Sequence, residues 1–142
     1  MQVKQIIKNI SWLLVICLVV PGMSGCMNNK AKQVDDFNVH AKSYGKLIRW
    51  RDFDSASEYN RPREADLPKP DFEYLSEIRV TKYQMKSVVL SEEGDEAAVI
   101  ALITYYHERT NAVKTIEDNQ LWWRDEESGN WYVDGGLPKF DP

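Results

Sequence analysis

The sequence predicts an α+β domain: N-terminal helices packed on a curved antiparallel four-stranded sheet, behind a cleaved signal peptide. Three observations lead there. Apolar residues recur at helical spacing between Val34 and Ile48. From Ile78 onward the chain changes to β-branched and aromatic runs separated by short polar turns. The first 26 residues follow a different plan, basic, then apolar, then small.

The leader comes first. Lys4 and Lys8 form a basic start, and residues 10–20 form an apolar run. That run is about half the ~20 residues a membrane-spanning helix needs. Pro21-Gly22 breaks it, and Met23-Ser24-Gly25-Cys26 follows. This tetrapeptide resembles the lipobox of bacterial lipoproteins, an aliphatic residue and two small ones before an obligatory cysteine. The resemblance implies cleavage between Gly25 and Cys26 and a diacylglyceryl group on the Cys26 thiol. Small Ser24 and Gly25 let a peptidase reach the backbone, and Met23 stands where leucine is more usual. An uncleaved signal anchor or an ordinary secretory peptide is the alternative reading. Two acyl chains hold a protein stably on a bilayer where one binds only reversibly. Met27 and Asn28 follow the cysteine. Without an aspartate there, the resemblance implies the periplasmic face of the outer membrane if the host is Gram-negative.

The organisation is therefore 1–25 signal peptide, 26–33 lipidated Cys26 and tether, and 34–142 a single domain. The polar tether, Met27 to Gln33, has no apolar period and reaches at most ~25 Å when extended.

Val34, Phe37, Ala41, Tyr44 and Ile48 make one face of an amphipathic helix, which Leu47 and Trp50 widen. Gly45 costs that helix about 1 kcal/mol relative to alanine. Ser55-Ala56-Ser57-Glu58 has capping-box spacing and starts a short second helix that Pro62 ends. Pro62, Pro68 and Pro70 frame a loop, and Asp71 to Glu77 form one more helical turn. Ile78 to Leu90 is a strand, and Glu92-Glu93-Gly94-Asp95 turns the chain. Ala97 to Glu108 is apolar on both alternating sets, which predicts a strand covered on both sides. Thr110-Asn111 turns again, Thr115 to Arg124 returns, and a polar loop over 125–130 leads to Trp131-Tyr132-Val133. Short turns between successive strands imply an antiparallel meander.

Helices and then four strands, with Trp131-Tyr132-Val133-Asp134-Gly135-Gly136 near the end, resemble the cone-shaped nuclear transport factor two-like fold, also called SnoaL-like. The resemblance covers about residues 34–137 and rests on the order of elements. A cystatin-like helix-plus-meander arrangement is the alternative. The cone fold hosts enzymes and non-enzymes alike, so it implies no activity by itself.

Composition narrows the function. The 142 residues suit one domain. Of 18 basic side chains, 2 lie before Cys26, leaving 16 against 22 acidic ones, a net of −6. That disfavours a nucleic-acid partner, which needs a basic face, and docking on anionic headgroups. Of the two cysteines, Cys17 leaves with the leader and Cys26 is the lipid site, so the processed chain has no disulfide. His40 and His107 lack ligand spacing, and no metal or cofactor is expected.

The catalytic candidates are Tyr83, Tyr105, His107 and Asp118. The cone-fold resemblance implies a tyrosine, histidine or aspartate inside the cone, but no catalytic pattern of the family maps onto these positions and no role is carried over. From the residues themselves, His107 is a general base and Asp118 orients it if their strands pair in register. The plainer reading is that Tyr105-Tyr106-His107 ends a half-buried strand near its rim. Trp122-Trp123-Arg124 and Arg49-Trp50-Arg51 invite a ligand, because aromatics beside arginines stack on planar or anionic molecules. Adjacent strand residues point to opposite faces, so Trp122 or Trp123 belongs to the core. The leading expectation is a membrane-tethered, non-catalytic module that binds an envelope protein, a polymer or a small ligand. The alternative is a small isomerase or dehydratase using His107 and Asp118.

Overall fold

The computed structural model describes residues 25–64 and 66–141. Apart from Gly25, the segment expected to be a signal peptide lies outside the described residues. The chain divides into two compact units, Met1–Ala31 and Lys32–Pro142.

Helix α1 runs Gly25–Trp50, α2 Phe53–Ser57 and α3 Phe72–Ser76. Strands β1 (Ile78–Leu90), β2 (Glu96–His107), β3 (Val113–Arg124) and β4 (Trp131–Val133) follow. They form one antiparallel sheet in the order β1-β2-β3-β4. The domain is thus α+β, with helices packed on a curved, open four-stranded sheet.

The helical stripe is real but narrower than the sequence suggests. Phe37, Ala41, Tyr44 and Ile48 are buried, whereas Val34 is exposed and Trp50 is 77% exposed. Phe37 meets Trp131 and Trp122 edge-on at 4.8 and 5.7 Å, and Tyr44 meets Trp122 at 5.4 Å. Burying side chains of this size contributes about 1.5–3 kcal/mol each. Residues 27–33, expected as an extended tether, belong to α1. Lysine, alanine and glutamine are good helix formers, so the helix continues back through them. At ~1.5 Å per residue the segment spans about 10 Å, not ~25 Å.

Gly45 does not interrupt α1. A Cβ there would lie 2.5 Å from Tyr83 Cε1 and 2.8 Å from Cδ1, so the missing side chain is what lets the Tyr83 ring lie on the helix. The cap of α2 is Asp52, whose Oδ1 accepts from the Ser55 N–H at 3.2 Å. The Ser55–Glu58 box is therefore not the helix start, because Asp52 satisfies the free amides one turn earlier. Asp71 caps α3 in the same way.

Strand β2 is covered on one side only, contrary to the sequence expectation. Ala97, Val99, Ala101, Ile103, Tyr105 and His107 are buried, while Ile100, Leu102 and Tyr106 are half-buried on the other face. The helices cover one face, and an antiparallel sheet tolerates apolar residues on its open one. Asn111 adopts positive φ at the β2–β3 turn.

The two edges of the sheet differ. The β1 edge carries exposed Lys82 and Lys86 and two register shifts, after Val80 and after Met85. Such features block pairing with other chains. The far edge of β4 is tied to residues 59–61: Val133 N–H donates to Tyr59 O, and Arg61 N–H to Val133 O. Because β4 pairs only with residues 122–124 and Asp134 N–H takes the Leu121 carbonyl, β3 has no backbone partner on that side from Val113 to Asn119 among the described residues.

Candidate functional site

The open side of β3 faces a cleft of about 1040 Å³. One wall is the proline-framed loop, with Leu67, Pro68 and Pro70. The opposite wall is the C-terminal segment 134–140. That segment leaves β3 where Asp134 N–H donates to Leu121 O at 2.8 Å. It is pinned again at its end, where Tyr74 Oη donates to Phe140 O and Asp141 N–H donates to Tyr105 Oη. Between those anchors it stands away from the strand, and the gap is the cleft.

The inner face of β3 supplies Ile116, Asp118 and Gln120, with Trp122 next along the strand and buried. Gln120 organises this row. Its Nε2 donates to Tyr83 Oη at 3.0 Å and to Asp118 Oδ2 at 2.6 Å, and its Oε1 accepts from Trp122 Nε1 at 2.9 Å. Burial raises the Asp118 carboxyl above its ordinary range, and the Gln120 hydrogen bond opposes that. Burial also pushes the Tyr83 phenol up to about 12. Tyr44, 0% exposed, has a hydroxyl with no hydrogen-bond partner among the described residues. Its ionisation is pushed well up by burial, and then by Asp118 and Tyr83. The outcome is a desolvated polar row, Tyr83–Gln120–Asp118, whose carboxylate opens onto the cleft.

The sequence-predicted residues do not all meet. Tyr83 and Asp118 share the row. His107 does not join them: Asp118 pairs with Ala101, six residues before His107 on β2, roughly 20 Å away along the strand. His107 cannot therefore be oriented by Asp118. His107 ends β2, a strand buried on alternate residues, and is itself 5% exposed. Its Nδ1 accepts from Arg109 N–H at 3.2 Å, and its Nε2 lies 2.9 Å from Glu77 Oε2. Arg109 Nε reaches the same carboxylate oxygen at 2.7 Å. Both ring nitrogens thus serve to close the end of the β2 strand. Tyr105 is buried, with its hydroxyl on the Asp141 backbone.

The aromatic candidates also separate. Trp122 is core. Trp123 lies on the opposite face, against Tyr132 at 5.5 Å, and its Nε1 donates to Arg61 O. Arg61 stacks over Tyr132 at 4.0 Å. Arg124 lies 3.7 Å from Asp36. Trp50 stands exposed at the end of α1 with Arg49 5.8 Å from its ring. None of the four lines the cleft.

Gln120 was missed by sequence reasoning. Its signal was parity: in a strand, residues 116, 118, 120 and 122 share a face, and Ile116 and Trp122 mark that face as inward. No cluster of metal-ligand residues occurs among the described residues. Compared with known proteins, the chain matches no family model, no curated protein and no solved structure.

Proposed function

We propose that this is a lipid-anchored protein of the bacterial cell envelope, held through Cys26, whose exported domain binds a partner in the cleft beside β3 without transforming it. The partner is an envelope protein, a polymer or a small ligand, reached from the periplasmic face of the outer membrane in a Gram-negative host. The anchor is supported by the leader and by the Met23-Ser24-Gly25-Cys26 resemblance. Binding is supported by one observation, the cleft itself. It has a proline-framed loop and a C-terminally pinned segment on its sides, and a mixed lining in which Leu67, Leu75, Leu137 and Phe140 sit among polar and charged side chains. Helices set against a curved sheet also support the cone-fold resemblance, although binding in this cleft does not depend on it.

The test fills the cleft. A Cβ on Gly136 would sit 3.7 Å from Leu67 Cδ1, in ordinary contact with the facing wall. That contact leaves no room beyond Cβ toward Leu67, so the ring of Gly136→Phe either displaces Leu67 or turns into the cleft, and in both cases it takes up cleft space; circular dichroism and a urea midpoint check that the variant folds. Expressed in a deletion strain and lipidated normally, Gly136→Phe should fail to restore the wild-type envelope-stress profile. Full restoration would remove the cleft from the function.

One observation favours a second reading, a proton-transfer enzyme. Asp118 is a carboxyl with a raised pKa opening onto a cleft beside a tyrosine, an arrangement that suits a general acid or base. Asp118 would act there without His107. Asp118→Asn separates the readings, because losing such a group costs about 10² to 10⁴ in rate. A folded Asp118→Asn protein that behaves like a deletion would favour the enzyme.

A further inference from the structure

The cleft borders a strand edge, and that edge has donors and acceptors to offer. In an antiparallel ladder, each residue directs its N–H and C=O to one side, and successive residues alternate. Leu121 C=O points to the β4 side, where it accepts from Asp134 N–H. Arg124 N–H points to the opposite side, where it donates to Asp95 O. By alternation, Glu117 and Asn119 direct their N–H and C=O away from β2 and toward the cleft that both residues line. Among the described residues these groups have no backbone partner.

This edge lacks the defences of the other one. The β1 edge has bulges and exposed lysines, whereas β3 keeps an unbroken register from Val113 to Trp123 with no proline. It is recessed between two walls, so another chain reaches it only by entering the cleft. An open edge kept regular and sheltered suits strand addition, the mode in which main-chain hydrogen bonds supply affinity and alternate side chains supply specificity.

The surroundings define the entrant. Five acidic residues line the cleft against two basic ones, Lys69 and Lys139. Asp134 is engaged by Arg63 and Asp71 caps α3, whereas among the described residues Asp118 and Glu117 accept only from the neutral amides of Gln120 and Asn119, so the lining keeps an excess of negative charge. A strand laid beside Glu117 and Asn119 turns one alternate set of side chains toward Leu75, Leu137 and Phe140, and the other set outward.

We propose that the cleft takes an extended, cationic polypeptide segment of a partner protein as an additional strand on the β3 edge, with apolar side chains at alternate positions. This rests on the cleft being the binding site, and it names the class of partner.

The test uses the full lipidated chain in mild detergent and four fluorescent nine-residue peptides. One alternates valine with lysine, and one alternates valine with glutamate. The other two are the valine–lysine peptide N-methylated at every valine amide or at every lysine amide. In an added strand only one alternate set of amides faces the protein. One methylated peptide should therefore bind at least ~10-fold more weakly than its parent, from the loss of two or more hydrogen bonds, and the other within about twofold. The glutamate peptide should bind at least ~10-fold more weakly, and Gly136→Phe should abolish binding. Equal effects of the two methylations, or equal binding of the two charge types, would overturn strand addition. So would an absence of peptide binding altogether. In each of those cases, a Gly136→Phe protein that still fails in the deletion strain keeps the cleft as the site for another ligand, such as a polymer. If that variant also restores function, the cleft reading falls with it.

Discussion

Replacing Gly45 with alanine sets two effects of opposite sign against each other. Helix propensity alone favours Gly45→Ala by about 1 kcal/mol, because glycine is the costlier residue inside a helix. The packing opposes it. The new methyl would sit 2.5 and 2.8 Å from two Tyr83 ring carbons, well inside van der Waals contact. The ring cannot simply swing away, since Gln120 holds its hydroxyl at 3.0 Å and the ring packs against the core. Overpacking of this kind typically costs about 1–3 kcal/mol, and so close a contact belongs in the upper part of that range. The net expectation is a loss of about 1–2 kcal/mol. Urea unfolding followed by tryptophan fluorescence reads it as a lower midpoint at unchanged slope. Tyr83→Leu removes the clashing ring atoms, so in that background Gly45→Ala should become neutral or stabilising. A stabilising Gly45→Ala in the wild-type background would refute the close approach of Tyr83 to α1.

Three further outcomes follow. Asp118 is raised by burial, so its neutral form favours the fold: that stability is fully present below the unfolded carboxyl pKa and is lost as pH rises through the raised folded value. Asp118→Asn should thus match wild type near pH 3 and exceed it at pH 7; urea midpoints that differ equally at both pH values would contradict this. His107→Gln should cost about 1–3 kcal/mol, because it unsettles a buried hydrogen-bonded group at the end of β2, yet it should restore a deletion strain wherever the protein still folds. A folded, lipidated His107→Gln protein that fails there would bring His107 back into the functional site. A chain beginning at Lys30 should fold as a soluble domain, with helix and strand both visible by circular dichroism and no need of metal or reductant.

Much of the fold was legible because its signals are local. Ile78–Leu90 reads as a strand from its β-branched content, and the Phe37–Ile48 stripe reads as a helix from spacing alone. Errors arose where a second pattern competed. Ser55 to Glu58 fits a capping box as well as Asp52 fits a cap, and only the chain path decides between them. Ile100 and Leu102 suggested a strand covered twice, because sequence does not reveal that helices cover one face only. The pairing of His107 with Asp118 was avoidable. A hairpin pairs residues symmetrically about its turn, so His107, at the very end of β2, cannot meet a residue five places beyond Val113. The cleft was not legible, because its walls are a proline-framed loop and a C-terminal segment without period. Their positions are set by single tertiary bonds such as Asp134 to Leu121.

Whether the chain is processed and lipidated is decided by the intact mass of the protein recovered from the detergent phase of its host's membranes. A lipid anchor at Cys26 requires a chain that begins at Cys26 and carries the added mass of at least a diacylglyceryl group, with Cys26→Ala absent from that species. A membrane-bound protein that retains Met1 to Gly25, or one that begins at Cys26 without lipid mass, would contradict it.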